Sequence, residues 1–487
     1  MKNDIIKKLK TTISNYKERM KMKILSTIAF AALAAAFVST AFANGVTKFK
    51  PEDIAKLIPQ ETEDEYNKRM AWWIHDRFGM FIHFGLYAAP ARHEWMKKYE
   101  RLSNEEYEKY FENFNPDLFD AKEWAKSAKK AGMKYCVLTS KHHEGFCLFD
   151  SKYTDYKITN TAFKRDLVKE FVEAFRAEGI KVGFYYSLID WHHPDFTIDN
   201  CHPLWGKVKA EEFNKGRDMA RYRKYMLNQV TELLTNYGKI DIVWFDFSYP
   251  GPDGKGRDDW DSAAIYSLAK KLQPHIIIDN RLDLNDVPGG TDFITPEQFN
   301  PSSWPKLNGK KYAWETCQTF SGSWGYSRDE MSWKSPKQAI FSLVGAVAHG
   351  GNLIMNVGPT ARGEFDYRAK ERLDDFAKWM RVNSRSIYGC TEAPEKYETP
   401  EGTVLTWNPE TKRLYIHFLY YPAGQLGIKF GKDIRYVQFL HDASEIKLKA
   451  VGQGGTFCDH QSGFDAHLFF PTVKPPVEIP VIECFMK

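Results

Sequence analysis

The feature that most constrains the fold is an alternation of short apolar runs with helix-forming segments over most of the chain. The apolar runs are nearly continuous, for example "KYCVLTS" (134–140) and "IDIVWFDF" (240–247). Strands of this kind are buried on both faces, as in parallel sheets. Several of the intervening helical segments end in glycine, the residue that favours helix termination, at Gly132, Gly179 and Gly238.

Six strong strands alternate with helices, and residues 311–319 are a candidate seventh strand. Strict alternation predicts parallel βα units, and a span of about 340 residues favours a (β/α)8-like, TIM-type barrel. An open doubly wound sheet is the alternative. The chain has no G-x-G-x-x-G or P-loop motif that would support it.

The pattern changes from about Thr391, where short β-rich runs are separated by Gly, Pro, Asn and Asp. This pattern predicts a C-terminal antiparallel β-sandwich. The expected organisation is therefore a barrel over residues 44–390 and a sandwich over residues 391–487.

The first 43 residues have the pattern of a signal peptide, with Met20 and Met22 as alternative starts. The basic stretch "MKMK" (20–23) precedes an uncharged apolar run (24–40), and "AFA" (41–43) matches an A-x-A cleavage site. We expect an exported protein, periplasmic or secreted. An uncleaved membrane anchor is the alternative, because the apolar run is about long enough to span a bilayer.

Charge and motif content exclude several function classes. The 68 basic and 63 acidic residues nearly balance, so nucleic acid is not an expected partner. No G-x-S-x-G, H-x-H or H-E-x-x-H motif is present, and the seven cysteines include no C-x-x-C. We therefore expect no metal. Aromatic residues make up 15% of the chain, which suits either sugar stacking or a large aromatic core.

Polar and aromatic residues follow the predicted strands, where a barrel gathers its functional groups. Each alone has a structural explanation, but together they mark one rim. Two carboxylates among rings and hydrogen-bonding groups suggest glycoside hydrolysis. The residues at these positions are His83, Glu94, Trp95, His142, His143, Tyr186, Asp190, Trp191, Trp244, Asp246, Arg281, Glu297, Glu315 and Trp324.

Several long segments resemble the α-L-fucosidases of glycoside hydrolase family 29. They include "DRFGMFIHFG", "LTSKHHEGF", "DIVWFDF" and "GGNLIMNVGPTARG", in the same order as in that family. The resemblance covers roughly residues 72–388 and extends to the following β-domain. It implies a cofactor-free retaining exo-α-L-fucosidase that acts on fucosylated oligosaccharides or glycoconjugates through a covalent fucosyl-enzyme.

The resemblance also implies residue roles. Asp246 matches the nucleophile, and Glu297 matches the acid/base, with Glu315 as the alternative. Phe81 and Trp324 would cover the C6 methyl group of fucose, which would exclude galactose because its C6 hydroxyl would lack a partner. The other implied sugar contacts are His83, Glu94, Trp95, His142, His143, Tyr186, Trp244 and Arg281.

Two other functions remain open at this point. One is a glycosidase of the same fold that acts on another sugar, such as a galactoside. The other is a fucose-binding protein without catalysis. The adjacent histidines His142 and His143 are expected in the loop that follows a strand ending at Ser140, where both can bond sugar hydroxyls.

Overall fold

The computed structural model describes residues 50–307, 309–422, 424–452 and 463–487. The predicted signal peptide, residues 1–43, lies outside the described residues. Within these ranges, no helix is both long enough and apolar enough to cross a membrane.

Seven parallel strands form one curled sheet. They are β1 (Phe78–Ile82), β2 (Tyr135–Lys141), β3 (Lys181–Ser187), β4 (Ile242–Asp246), β5 (Ile277–Ile278), β8 (Glu315–Thr319) and β9 (Asn352–Val357). Their order across the sheet is β5-β4-β3-β2-β1-β9-β8. Every residue of β1, β2, β8 and β9 is buried, as the continuous apolar runs predict. A small hairpin of β6 (Lys306–Leu307) and β7 (Lys310–Lys311) lies between β5 and β8 in sequence.

Residues 293–297 connect the two edge strands of this sheet. Isolated parallel bridges join Asp279 to Phe293, Ile294 to Trp314, and Glu297 to Cys317. The segment therefore takes the place of an eighth strand between β5 and β8. The sequence predicted a loop at residues 293–297, because this irregular strand lacks a clear apolar run. It also predicted a longer strand, residues 275–281, where β5 has only two residues.

Helices alternate with the strands, and several begin with capping boxes. Thr62 with Glu65, Ser103 with Glu106, and Ser335 with Gln338 each satisfy orphan backbone N–H groups at a helix start. The helices are α1 (Pro51–Ala55), α2 (Glu63–Asp76), α3 (Met96–Tyr99), α4 (Asn104–Glu112), α5 (Ala121–Lys130), α6 (Leu167–Ala177), α7 (Ala210–Phe213), α8 (Met219–Asn236), α9 (Arg257–Trp260), α10 (Ser262–Leu272), α11 (Pro336–Ala348) and α12 (Tyr367–Asn383).

The barrel interior is filled by its own aromatic cluster. Phe81, Tyr185 and Trp244 lie in this cluster, and Met70 and Trp73 of α2 pack against it. Helix α2 precedes β1, so its side chains cover the amino-terminal end of the barrel. The opposite end, where the strands finish, is left for the candidate site.

Two antiparallel sheets follow the barrel and enclose a second core, which includes Leu414, Ile428 and Ile482. The strands are β10 (Thr403–Asn408), β11 (Arg413–Phe418), β12 (Gln425–Ile428), β13 (Ile434–Phe439), β14 (Lys447–Ala450), β15 (Ala466–Phe469) and β16 (Val481–Met486). The first sheet has the order β10-β11-β16-β13 and the second β12-β15-β14. The predicted barrel and β-sandwich are thus confirmed. The boundary at residue 390 falls between α12 and β10 and stays a prediction.

Candidate active site

The carboxyl ends of neighbouring strands bring several of the predicted polar residues together at one end of the barrel, and the space between them is the candidate pocket. His83 follows β1, His142 and His143 follow β2, and Asp246 ends β4. The ring centres of His83 and His142 are 5.7 Å apart, and those of His142 and His143 are 4.0 Å apart. Strand β2 ends at Lys141, so both histidines lie in the rim loop, as expected from the sequence.

Arg281 connects the two carboxylates that were predicted to carry the chemistry. Its Nη1 donates to Asp246 Oδ1 at 3.2 Å, and its Nη2 donates to Glu297 Oε2 at 2.9 Å. Its Nε donates to Thr295 Oγ1 at 2.8 Å, and the guanidinium lies 5.0 Å from the Trp244 ring centre. The Arg281 guanidinium thus bonds to both carboxylates, with Asp246 on one nitrogen and Glu297 on another.

The two carboxylates differ in exposure. The Asp246 side chain is 13% exposed and the Glu297 side chain 44% exposed. Burial raises the pKa of Asp246 above its ordinary value, although the charge of Arg281 opposes this shift. Asp246 therefore lies inside the pocket, and Glu297 lies at its mouth.

Glu315, the alternative acid/base, lies at the other end of the barrel. It is the first residue of β8, whereas Asp246 is the last residue of β4. It is fully buried and accepts a hydrogen bond from Tyr135, the first residue of β2. A strand rises about 3.3 Å per residue, so the five residues of β8 separate Glu315 from the rim by about 13 Å. The structure does not bring Glu315 and Asp246 together.

Burial raises the pKa of Glu315 to about 8, although the Tyr135 hydroxyl opposes the shift. A carboxyl whose pKa is raised on folding makes its full contribution to the free energy of unfolding at pH values below its unfolded pKa, near 4.5. That stabilisation is lost as pH rises through the folded pKa. We expect wild type to lose several kcal/mol of unfolding free energy relative to Glu315→Gln between pH 4.5 and 8, since one pKa unit is about 1.4 kcal/mol. Urea unfolding across this range measures the difference, and parallel curves would contradict it.

Tyr185, the neighbour of the predicted sugar contact Tyr186, contacts the candidate nucleophile. The Tyr185 hydroxyl donates to Asp246 Oδ2 at 2.7 Å. The Tyr186 hydroxyl instead donates to Gln229 Oε1 of α8 at 2.8 Å, outside the barrel. Successive side chains of a strand point to opposite faces, so Tyr185 faces the inside of the barrel and Tyr186, the predicted sugar contact, faces the outside.

This pair of tyrosines provides a matched test. Tyr185→Phe should lower kcat/KM by about 10–100-fold, because Asp246 loses a hydrogen bond to a charged group worth roughly 1.5–3 kcal/mol. Tyr186→Phe should lower the thermal midpoint and leave kcat/KM within about twofold. Kinetics and thermal unfolding of both variants provide the comparison. Equal losses of activity in the two variants would contradict it.

Hydrogen bonds determine the proton positions on two of the three histidines. Asn356 Nδ2 donates to Trp324 O at 2.6 Å, so its Oδ1 accepts from His83 Nδ1 at 2.7 Å. Ser187 Oγ donates to Ile189 O at 2.8 Å, so it accepts from His143 Nδ1 at 2.7 Å. Burial lowers the pKa of both histidines well below its ordinary value. Burial favours the neutral form of each imidazole, and with the proton on Nδ1 that form leaves Nε2 as an acceptor.

Aromatic rings form two walls of the pocket. Phe81 lies 5.3 Å from Trp244 and 6.0 Å from Trp324, measured between ring centres. On the other side, Trp95 lies 5.2 Å from Phe247 and 4.9 Å from His143. The predicted rings Phe81, Trp95, Trp244 and Trp324 thus lie in the same region as the histidines.

Phe247 immediately follows Asp246 and has a φ of 90°. A bulky residue rarely adopts this left-handed region, and the conformation persists only where the surrounding structure enforces it. The flanking backbone is held by Leu188 N donating to Asp246 O and Tyr249 N donating to Lys255 O, both at 2.8 Å. The strained backbone places the Phe247 ring on the wall beside Trp95.

Glu94 organises the loop that carries Trp324. Its Oε2 accepts from Ser323 Oγ at 3.1 Å and from the backbone N–H groups of Trp324 and Gly325 at 3.1 and 2.8 Å. Glu94 is 1% exposed, and its Oε1 has no hydrogen-bond partner within the described ranges. The nearest charged partner of that oxygen is Nδ1 of His93, at 3.3 Å.

Two predicted rim residues have structural contacts. Asp190 forms a buried ion pair with Lys141, at 3.1 Å, and accepts from the backbone N–H groups of His192 and His193. Trp191 lies 5.5 Å from Trp95 and supports that wall. In the described part of the chain, no group of three His, Cys, Asp or Glu residues has the arrangement of a metal site.

The sequence interpretation missed Tyr185, Asn356, Ser187 and Phe247. Tyr185 and Phe247 were adjacent to residues that were singled out, so the strand periodicity was the signal that could have found Tyr185. Asn356 lies in "NLIMNV" of β9. An asparagine in a buried strand requires a hydrogen-bond partner, which is the signal that could have identified it.

Comparison with known proteins finds similarity over most of the chain. The family model described as "Alpha-L-fucosidase" matches residues 48–385. The human plasma α-L-fucosidase is 30% identical over 410 residues, which cover 79% of this chain and 82% of that protein.

Solved structures agree in fold. α-L-Fucosidase isoenzyme 1 from Paenibacillus thiaminolyticus is 42% identical with a TM-score of 0.80, covering 87% of this chain and 99% of that one. A Bacteroides thetaiotaomicron α-L-fucosidase of family 29 is 29% identical with a TM-score of 0.74, covering 90% and 99%. That structure contains a trapped covalent intermediate formed with 2-fluoro-fucosyl fluoride.

Proposed function

This chain belongs to the α-L-fucosidase family, and we propose that it is a retaining exo-α-L-fucosidase that removes terminal α-L-fucosyl residues from glycans. The observation that carries the proposal is the Asp246–Arg281–Glu297 arrangement at the carboxyl ends of the barrel strands. It supplies one enclosed and one accessible carboxylate beside the same pocket. Double displacement requires such a pair.

In the first step, an Asp246 carboxylate oxygen attacks the anomeric carbon, and the bond from that carbon to the glycosidic oxygen breaks. Glu297 donates its proton to that oxygen, so the aglycone leaves as a neutral alcohol. Glu297 suits this role because it lies at the pocket mouth, where a leaving group must depart. Arg281 and Tyr185 orient the Asp246 carboxylate for attack.

In the second step, Glu297 takes a proton from water, whose oxygen attacks the anomeric carbon. The bond from the anomeric carbon to Asp246 breaks, which restores the Asp246 carboxylate and releases free fucose. Two inversions give net retention of configuration. The trapped intermediate in the Bacteroides relative supports a covalent fucosyl-enzyme.

The remaining pocket residues suit a 6-deoxy sugar. The Nε2 atoms of His83 and His143 can accept from sugar hydroxyls, because their Nδ1 atoms donate elsewhere. We propose that Phe81 and Trp324 surround the C6 methyl group. A C6 hydroxyl there would be buried without a partner.

We also propose that the chain is exported, with a fucosylated oligosaccharide or glycoconjugate as its substrate. The support for export is the basic stretch, apolar run and A-x-A site of residues 20–43.

Parallel assays of aryl α-L-fucoside and aryl α-L-galactoside test the function. We expect the fucoside to be preferred by about 100-fold in kcat/KM, the discrimination available to an apolar pocket against one added hydroxyl. NMR should detect α-L-fucose as the first anomer released. Equal galactoside turnover would favour the broader glycosidase, and fucose binding without turnover would favour a binding protein.

A further inference from the structure

Glu144 is a buried carboxylate that the proposed mechanism does not use. It is 1% exposed, and its Oε2 lies 3.3 Å from Nδ1 of His142, which is 3% exposed. Within the described ranges, neither carboxylate oxygen has a hydrogen bond of good geometry. A buried carboxylate is costly unless a proton donor or a cation lies beside it.

Lys97, Tyr87 and Tyr107 also interact electrostatically with Glu144, and the Tyr107 hydroxyl has no hydrogen-bond partner in the described residues. Lys97 of α3 donates to Asn104 Oδ1 at 2.9 Å and lies 4.7 Å from the ring centre of Tyr107. Burial lowers the pKa of Lys97 to about 8, although Glu144 opposes the shift. The hydroxyl of Tyr87 lies 3.4 Å from Thr139 Oγ1. His142 Nδ1 also has no hydrogen-bond partner in the described residues, and it lies within contact distance of the carboxylate, at 3.3 Å.

The backbone holds Glu144 and His142 close together. Gly145 N donates to His142 O at 3.0 Å, which closes a turn around the pair. Gly145 has a φ of 83°, and a Cβ there would lie 2.2 Å from Asp190 Oδ1. A Cβ on Gly85 would lie 2.6 Å from Glu144 Oε1. The two glycines therefore provide the turn and the space that Glu144 needs.

The three histidines of the pocket differ in the group that contacts Nδ1 of each imidazole. His83 has Asn356 behind its Nδ1, and His143 has Ser187. His142 lies between these two rings and has Glu144 in the corresponding place. The Tyr185 ring is stacked on His142, with centres 5.6 Å apart.

From this comparison we infer that Glu144 is a positioning residue, which holds the proton of His142 on Nδ1 and directs Nε2 into the pocket. The inference names a further residue for the same site, so it rests on the proposed function. A carboxylate behind an imidazole determines its tautomer and orientation in many enzymes. The three histidines then present three Nε2 acceptors to neighbouring sugar hydroxyls.

A double-mutant cycle tests this role with Glu144→Leu, Glu144→Gln and His142→Gln on aryl α-L-fucoside. We expect Glu144→Leu to lower kcat/KM by about 10–100-fold, the usual effect of removing a residue that orients a ligand-binding imidazole. Glu144→Gln should recover most of this loss, because its amide oxygen still accepts from Nδ1. The double variant Glu144→Leu with His142→Gln should be no worse than His142→Gln alone.

Glu232→Leu is the matched control for the effect of burying an altered glutamate. Glu232 is 7% exposed and accepts from Ser151 Oγ at 2.8 Å, away from the pocket. It should lower the thermal midpoint without changing kcat/KM below that temperature. Wild-type activity in Glu144→Leu, or additive losses in the cycle, would overturn the inference.

Calorimetric titration with L-fucose separates this inference from the proposed function. If wild type binds fucose but hydrolyses no fucoside, the proposed function fails. The same cycle measured as fucose affinity then still tests Glu144, with the same non-additivity expected. Equal fucose affinity in wild type and Glu144→Leu would overturn the inference.

Discussion

Asp246→Asn should abolish hydrolysis of aryl α-L-fucoside, with kcat/KM reduced by about 10⁴-fold or more, as expected when a covalent nucleophile is removed. Asparagine has the same shape and can still accept from the Tyr185 hydroxyl, which contacts Asp246 at 2.7 Å. The fold and the thermal midpoint should therefore change little. Initial rates and circular dichroism measured on the same preparation separate loss of chemistry from loss of structure.

Two companion variants sharpen this result. Asp283→Asn is the matched control, because Asp283 accepts from Arg257 N at 3.2 Å rather than facing the pocket. It should retain activity within about twofold. Asp246→Gly leaves space beside the anomeric carbon, so added azide should restore turnover of an activated fucoside and yield a β-fucosyl azide. Normal turnover by Asp246→Asn would remove Asp246 as the nucleophile.

Glu297→Gln should show a loss that depends on the leaving group. In a natural fucosyl-oligosaccharide the leaving group is a sugar alkoxide, which is poor and needs a proton. The kcat/KM on this substrate should therefore fall by about 10³-fold or more, within the range of acid catalysis and lost electrostatic support. The dinitrophenolate of a dinitrophenyl fucoside leaves without a proton, so formation of the fucosyl-enzyme from this substrate should be nearly unaffected. Burst kinetics with the activated substrate should then reveal accumulation of the fucosyl-enzyme.

Glu315→Gln is the comparison variant for this experiment. Glu315 is fully buried at the amino-terminal end of β8, where Tyr135 donates to it. Its replacement should change the pH dependence of stability and leave the ratio of rates on the two substrates unchanged. If Glu315→Gln rather than Glu297→Gln lost activity selectively on the poor leaving group, the acid/base assignment would be reversed.

The barrel was predictable because its evidence is local. Continuous apolar runs, glycine helix ends and capping residues each act over fewer than about 20 residues, so the order of strands and helices can be read directly. The histidines after β2 and Asp246 at the end of β4 were found for the same reason. Residues 293–297 were missed as part of the barrel wall because their bridges to Asp279, Trp314 and Cys317 are long-range contacts with no local pattern.

The choice between neighbouring residues was harder to make from local patterns. Tyr185 and Tyr186 have the same chemistry, and the pleat of β3 alone puts one against Asp246 and the other against Gln229. Glu297 and Glu315 are both glutamates near a predicted strand. Their difference in environment depends on where β8 begins relative to its neighbours, which is a property of the whole sheet.

The sequence by itself determined the fold class, the family and the strand ends at which the functional groups would gather, because each is encoded in contiguous motifs. The tertiary structure alone decided which groups meet. It linked Asp246 and Glu297 through Arg281 and put Asn356 behind His83. These contacts depend on strand register and side-chain direction, which arise only when the separate segments pack into one barrel.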